Sequence, residues 1–309
     1  MGFTMRHFLA MTDLTPAEIE RVFSIAKDLK AKFAQGRREP LLPGRVMAML
    51  FEKKSLRTRV SFEVSMAHLG GSAIFLGDEV GFGSRESVAD FARVLSEYVD
   101  VIVVRANRHE TIRQLADYAS CTVINGLTDH AHPCQAMADL FTLRELFGDP
   151  RGRTLAWIGD GNNVARSLAV GCGKVGMRFA MATPAAYRFD AKFRETLARE
   201  VPKLDFFVTA DPLEGVRDAI AVYTDAWTSM GQEAEKEARR RDFASYQVSA
   251  RLMSHVQKGA VFMHCLPAHR GEEVTDEVID GPQSVVVQQA ANRLHVQKGI
   301  LAWLLGAKA

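Results

Sequence analysis

Residues 55–59 read Ser-Leu-Arg-Thr-Arg and place two hydroxyl groups and two guanidinium groups within five positions. An apolar run at residues 45–51, of strand length, precedes them, and a helix-like apolar pattern ending at Gly70 follows. A helix start offers free N–H groups and a positive dipole end, and guanidinium forks match phosphate oxygens. The stretch therefore predicts a site for a phosphate or an acyl phosphate; a capping serine followed by solvated arginines is the alternative.

Polar side chains also follow two other predicted strands in this half of the chain. Arg105 ends the third strand, and His132 and Gln135 come after the fourth. Strands alternating with helices at this spacing predict a parallel, doubly wound sheet, in which ligands bind beyond the carboxyl ends of the strands. An isolated histidine is more often structural, but its place at a strand end beside arginines favours a functional His132.

A turn-rich segment at residues 148–153 divides the chain, and the alternation of strands and helices restarts beyond it. We expect one domain at residues 1–147, joined by a C-terminal helix at residues 289–309, and a second domain at residues 148–288. A last strand at residues 284–287 is predicted to close the second sheet.

The second half contains one partial nucleotide motif and one candidate ammonium site. Gly159 and Gly161 follow a strand, but Val164 stands where a dinucleotide fingerprint needs its third glycine, so a nicotinamide-dependent reaction is disfavoured. Asp225 follows a later strand and precedes Ser-Met-Gly at residues 229–231. A carboxylate beside a flexible loop suits a substrate ammonium, with a helix-capping aspartate as the alternative.

Cys265 lies in the string His-Cys-Leu-Pro directly after a predicted strand. A cysteine in a polar site can act through its thiolate, although a lone cysteine is more often a small buried residue. The four cysteines form no C-x-x-C pair and show no metal spacing. This pattern predicts no metal site and favours a reduced, cytoplasmic setting.

Composition excludes several classes of protein. The 309 residues are 47% hydrophobic and 25% charged with a net charge of +2, which indicates a globular chain without a nucleic-acid or polybasic membrane partner. No signal peptide or membrane span is predicted. The charge-dense run at residues 233–242 is interpreted as a solvated helix face.

Residues 51–63 resemble the phosphate-binding signature of the aspartate/ornithine carbamoyltransferase superfamily, although Leu56 stands where threonine is usual. Elements at residues 225–231 and 264–267 are similar to the ornithine branch and not to the aspartate branch. Four elements follow the signature in the family's order: His-Pro-Cys-Gln at 132–135, Asp-x-x-x-Ser-Met-Gly at 225–231, His-Cys-Leu-Pro at 264–267 and the closing segment with Arg293.

This resemblance implies an α/β fold of two doubly wound parallel-sheet domains with the active site in the cleft between them. It implies transfer of a carbamoyl group from carbamoyl phosphate to the δ-amine of L-ornithine, in arginine biosynthesis or its catabolic reverse. It also implies no metal or organic cofactor, and a homotrimer or a multiple of one. A carbamoyltransferase for putrescine or an N-acylated ornithine, and a catalytically silent interaction protein, are the alternatives.

The family's residue roles carry over by motif. Catalytic roles are implied for Arg57, Arg105, His132, Asp225 and Cys265. Carbamoyl-phosphate binding is implied for Ser55, Leu56, Arg57, Thr58, Arg105, His132, Gln135, Cys265, Leu266 and Arg293. Ornithine binding is implied for Asn163, Asp225, Ser229 and Met230. Gly81 stands where many members place a glutamine that reaches a neighbouring subunit, which puts that cross-subunit contact in doubt.

Overall fold

The computed structural model describes residues 6–77, 80–228 and 232–306 of the chain. The chain divides into two compact units. Unit 1 comprises Met1–Ala138 and Ala291–Ala309, and unit 2 comprises Asp139–Ala290. The chain passes from one unit to the other within two helices, α5 (Pro133–Phe147) and α12 (Val286–Leu304).

Unit 1 is organised around a four-stranded parallel sheet in the order β2-β1-β3-β4. Its strands are β1 (Val46–Phe51), β2 (Ser72–Leu76), β3 (Val101–Arg105) and β4 (Thr122–Leu127). Its helices before α5 are α1 (Pro16–Ala34), α2 (Leu56–His68), α3 (Val88–Tyr98) and α4 (His109–Tyr118). Both central strands are almost wholly buried, as expected for a parallel sheet covered on two faces.

Unit 2 contains a five-stranded parallel sheet in the order β7-β6-β5-β8-β9. Its strands are β5 (Thr154–Ile158), β6 (Arg178–Ala182), β7 (Phe206–Thr209), β8 (Ala219–Thr224) and β9 (Val261–His264). Its helices between α5 and α12 are α6 (Asn163–Val175), α7 (Ala191–Glu200), α8 (Pro212–Gly215), α9 (Lys236–Phe243), α10 (Ala250–Met253) and α11 (Asp276–Ile279). Two parallel α/β sheets confirm the predicted fold class.

The strand predicted at residues 284–287 is wrong. Ser284 forms only an isolated bridge with Phe262, and the N–H of Gln289 already bonds the carbonyl of Val285 at 2.8 Å in helical geometry. A short β-branched run has the composition of a strand, but composition alone cannot distinguish a buried strand from the first turn of a helix. Helix α12 consequently begins at Val286, before the predicted start at residue 289.

No helix within the described ranges combines the length and the apolar character that crossing a bilayer requires.

Candidate active site

The carboxyl ends of three strands in unit 1 lie side by side. In the parallel register Phe51 of β1 pairs with Arg105 of β3, and Arg105 pairs with Leu127 of β4. Strand β1 leads to Ser55, and β4 leads to the loop that carries His132. The alternation of strands and helices thus brings these polar segments to one edge of the sheet, as the sequence predicted.

Ser55 caps helix α2. Its hydroxyl oxygen accepts the N–H of Thr58 at 3.3 Å, and its O–H donates to the Thr58 hydroxyl at 3.0 Å. The Thr58 side chain is buried, so both hydroxyls are fixed where the helix presents its first N–H groups. The structure therefore has a capped helix start at this position, which is the local geometry that the predicted anion site requires.

The other three residues of the Ser-Leu-Arg-Thr-Arg stretch differ in their surroundings. The side chain of Leu56 is 76% exposed. Arg57 is half-buried and has no hydrogen-bond or ion-pair partner within the described part of the chain. Arg59 pairs with Glu63 at 3.0 Å and lies over the ring of Phe75, so its fork is engaged on the helix surface. Of the two arginines, Arg57 is the one whose donors are available to a ligand.

Arg293 of α12 connects the other unit 1 site residues. Its Nη2 donates to the hydroxyl of Thr58 at 3.0 Å. Its Nη1 donates to the side-chain oxygen of Gln135 and lies 3.4 Å from Nε2 of His132. All four side chains are at least 96% buried, so the guanidinium fixes three ligand-binding candidates from α2, the loop before α5 and α5 itself.

Burial and two neighbouring cations determine the charge of the His132 imidazole. Burial lowers the pKa of His132 well below its ordinary value, and the positive charges of Arg293 and Arg105 lower it further. The histidine is therefore neutral, and since a guanidinium can only donate, its Nε2 accepts from Arg293. Burial also raises the pKa of the adjacent Cys134 thiol to about 12, which leaves that cysteine without a thiolate role.

Unit 2 gathers three polar residues at its own aligned strand ends. Ile158 of β5 pairs with Thr224 of β8, which pairs with His264 of β9. Each strand is followed closely by a polar residue of this set, namely Asn162, Asp225 and Cys265. The Nδ2 of Asn162 donates to Asp225 Oδ2 at 2.8 Å, and Cys265 Sγ lies 3.1 Å from Asp225 Oδ1. The carboxylate is thus held by an amide and a thiol.

Leu266 has a backbone conformation that is rare for a leucine, with φ of 59°. Its N–H donates to Nδ1 of His264 at 2.8 Å. This hydrogen bond closes a tight turn around Cys265. Both Cys265 and Leu266 belong to unit 2, whereas the other residues of the predicted carbamoyl-phosphate set belong to unit 1.

The other predicted residues lie on α6, outside the described ranges and in the loop before α3. Asn163 is the first residue of α6 and its carbonyl accepts the hydroxyl of Ser167 at 2.8 Å. Ser229 and Met230 lie outside the described residues. Gly81 has φ of 64°, a left-handed conformation, and a Cβ there would lie 2.5 Å from the side chain of Arg85. A glutamine at this position would therefore be strained.

Two residues of unit 2 make specific contacts that the sequence did not predict. Asn162, not its neighbour Asn163, bonds Asp225, and its Oδ1 also caps α6. Arg239 lies in the run interpreted as a solvated face, yet it is 6% exposed. It donates to Asp160 at 2.8 Å and to the carbonyl of Trp227 at 3.0 Å. The cap had a visible signal in the Asn-Asn pair before an apolar run, whereas nothing marked Arg239 among its charged neighbours.

Asp225, His264 and Cys265 also offer ligand atoms within 4.8 Å of one another. Both ring nitrogens of His264 face protein groups, Leu266 N–H and Glu273. The donor set therefore serves internal hydrogen bonds and leaves the imidazole without a nitrogen for a metal ion.

The chain matches two family descriptions along almost its whole length. Residues 6–145 match "Aspartate/ornithine carbamoyltransferase, carbamoyl-P binding domain", and residues 151–304 match "Aspartate/ornithine carbamoyltransferase, Asp/Orn binding domain". The chain is 51% identical over 304 residues to the ornithine carbamoyltransferase of Carboxydothermus hydrogenoformans, covering 97% of this chain and 98% of that relative.

Two further relatives come from Pyrococcus furiosus. A protein named "Ornithine carbamoyltransferase, anabolic" is 47% identical over 304 residues, covering 97% of this chain and 96% of that relative. A solved ornithine carbamoyltransferase from the same organism has a TM-score of 0.95 and 46% sequence identity, with all of both chains covered.

Proposed function

The chain belongs to the aspartate/ornithine carbamoyltransferase family, and we propose that it transfers the carbamoyl group of carbamoyl phosphate to the δ-amine of L-ornithine. The products are L-citrulline and phosphate. The observation that carries the proposal is the buried Arg293, which holds Thr58, His132 and Gln135 together beside the start of α2. A cation, a neutral imidazole and an amide around a helix start suit a carbonyl next to a phosphate.

Carbamoyl phosphate binds in unit 1 in this proposal. Ser55, Thr58 and the N–H of Leu56 hold the phosphate at the helix start, and the free fork of Arg57 supplies a charge-assisted partner. His132 and Arg105 stabilise the negative charge that develops on the carbonyl oxygen during attack. Gln135 orients the carbamoyl amide, and Arg293 keeps these donors in place.

Ornithine binds in unit 2. The carboxylate of Asp225 suits the α-ammonium of an amino acid, and Asn162 and Cys265 fix its orientation. Asn163, Ser229 and Met230 complete the contacts to the amino-acid end, and the Cys265–Leu266 backbone lines the attack side. The δ-amine attacks in its neutral form, so its ammonium first releases a proton to solvent. After attack the same nitrogen loses a second proton as the carbonyl–phosphate bond breaks, and the departing phosphate accepts that second proton. The residues need no metal or organic cofactor for this chemistry.

We propose that the chain forms a homotrimer or a multiple of one, and the unit 1 surface offers a candidate interface. Strand β2 lies at an edge of its sheet, and Ile74 on it is 49% exposed. Leu56 and Val60 on α2 are also exposed apolar side chains. An unpaired edge with exposed apolar residues is typical of a subunit interface.

The chain is proposed to work in the cytoplasm, in arginine biosynthesis. Its four cysteines are free, which fits a reducing compartment. The anabolic designation of the Pyrococcus relative supports the biosynthetic direction.

A colorimetric ureido assay tests the proposal. The purified chain is incubated with carbamoyl phosphate and, in parallel, L-ornithine, putrescine, N-acetylornithine or L-aspartate. Citrulline formation with ornithine at far higher kcat/KM than any other product is expected. A larger kcat/KM with putrescine or N-acetylornithine would reassign the substrate, and no product with any amine would support a silent protein.

A further inference from the structure

A fully buried carboxylate–imidazole pair lies next to Cys265. Neither Glu273 nor His264 exposes its side chain, and Glu273 Oε1 lies 3.3 Å from His264 Nε2. The same oxygen accepts the N–H of His269 at 2.5 Å. Neither member of the pair takes part in the transfer chemistry described above, yet burying an acid and a base together is costly unless their hydrogen bonds are well satisfied.

The hydrogen bonds determine which ring nitrogen carries the proton. His264 Nδ1 accepts the N–H of Leu266 at 2.8 Å, so in the neutral ring the proton lies on Nε2 and faces Glu273. Burial by itself would raise the pKa of Glu273, but the hydrogen bonds from His264 and the His269 N–H lower it overall. An ionised carboxylate can only accept, and it therefore excludes the tautomer in which Nδ1 carries the proton.

This tautomer holds the backbone around Cys265. The N–H before Cys265, that of His264, donates to Gln289 at 3.0 Å. The N–H after it, that of Leu266, donates to His264 Nδ1, and this bond holds Leu266 at φ of 59°. Cys265 lies between these two fixed points with its thiol 3.1 Å from Asp225. A change of tautomer would set an N–H against the N–H of Leu266 and release the turn.

We propose that Glu273 is a positioning residue for the ornithine side of the reaction. Acting through His264, it keeps the Cys265–Leu266 turn in the conformation that sets the thiol against Asp225. The inference rests on the proposed function, because that function assigns Asp225 and Cys265 to the attacking amine.

Glu273→Gln tests the assignment, with Glu272→Gln as the matched control. The glutamine keeps the size of Glu273 but offers an NH₂ that can donate to His264 Nε2, so it permits the tautomer whose proton lies on Nδ1. Glu272 is adjacent in sequence but pairs with Lys236 and Arg240. We expect Glu273→Gln to lower kcat/KM for ornithine by about tenfold or more, while KM for carbamoyl phosphate changes less than about twofold. The control should match wild type.

Labelling of Cys265 by a disulfide reagent gives a second readout that needs no substrate. Cys265 is the one cysteine of the four that is not buried. We expect faster labelling in Glu273→Gln, since the thiol is no longer held on Asp225. Should that variant fail to fold, Glu273→Asp replaces it. The shorter side chain keeps the charge but draws the carboxylate away from His264 Nε2, so faster labelling is again expected.

A double-mutant cycle with His264→Asn separates positioning from general destabilisation. If Glu273 acts through His264, adding Glu273→Gln to His264→Asn changes kcat/KM for ornithine little further. Additive losses, or wild-type ornithine kinetics and labelling in Glu273→Gln, would overturn the inference. If the wild-type chain makes no citrulline, the proposed function fails, whereas the labelling comparison still decides whether the pair holds the turn.

Discussion

Asn162 donates its side-chain N–H to Asp225 Oδ2 at 2.8 Å, while its side-chain oxygen accepts the N–H groups of Val164 and Ala165. One side chain therefore caps helix α6 and orients the carboxylate proposed to bind ornithine. Stability and substrate binding are coupled at this residue, and substitutions can separate the two effects.

Asn162→Ser and Asn162→Ala make this separation. Serine still caps a helix but is too short to reach Asp225, whereas alanine loses both interactions. We expect both variants to raise KM for ornithine, and only Asn162→Ala to lower the free energy of unfolding, by about 1 kcal/mol. Steady-state kinetics and urea unfolding measure the two quantities. An unchanged KM in both variants would show that the Asp225 contact is unimportant.

Arg293→Lys keeps the positive charge but replaces a fork with a single ammonium, which cannot hold Thr58, His132 and Gln135 together. We expect kcat/KM for carbamoyl phosphate to fall by about 10²- to 10³-fold, as on removal of a charge-stabilising donor. Arg199→Lys, which alters an exposed pair with Glu200, is the control and should have no effect. Equal kinetics for the two variants would remove Arg293 from the site.

His295 makes stability depend on pH. Burial, followed by the charges of Lys298 and Lys30, lowers its pKa to about 3. Between pH 6.5 and about 3 the unfolded chain binds a proton at this residue that the folded chain does not, so stability falls as the pH falls. At pH 5 the loss is about 2 kcal/mol relative to pH 7. Urea unfolding of His295→Asn should show a shallower decline between pH 7 and 5; an unchanged slope would contradict the assignment.

Gly81→Gln restores the residue usual in many ornithine carbamoyltransferases, and we expect it to harm this chain. The left-handed backbone costs a non-glycine residue about 1–2 kcal/mol, and the new side chain also meets Arg85. Gly44→Ala is the control for the backbone cost alone, because φ is 75° there and nothing lies within 4 Å. Thermal unfolding and citrulline formation measure the outcome. Gly81→Gln with raised activity and unchanged stability would mean that the loop adopts another conformation.

Ile74→Lys tests the proposed subunit interface. A charge on the exposed edge strand β2 should reduce the proposed trimer to smaller species, measured by light scattering after size-exclusion chromatography. Val287→Lys is the control, because Val287 is also an exposed apolar residue, at 77%, but belongs to unit 2. A trimer that tolerates Ile74→Lys would place the interface on another surface.

The fold was largely predictable because its signals are local. Thr15 and Glu18 form a capping box, a pattern that can be read from the sequence, and helix α1 begins at Pro16. The failure at residues 284–287 arose because three consecutive valines favour a strand, while the hydrogen bonds that start α12 depend on packing that the sequence does not display.

The candidate site was predictable to the level of segments but not of contacts. Strand ends indicated the segments of Ser55, His132 and Asp225, since parallel strands bring their carboxyl ends to one edge. The choice between Asn162 and Asn163 depended on which side chain the first turn of α6 directs toward Asp225. Arg239 became buried because it donates to Asp160 and to the carbonyl of Trp227, which lie 79 and 12 positions away in the sequence.

The neutral imidazole of His132 has one further consequence. Beside Arg293 and Arg105 it neither adds to nor offsets their charge, so the pocket keeps the positive potential of two desolvated guanidinium groups. Such a field draws a small dianion inward before any contact forms, and dissolved salt weakens it. Capture of the proposed carbamoyl phosphate should thus slow as ionic strength rises, while the steps after binding should depend little on it.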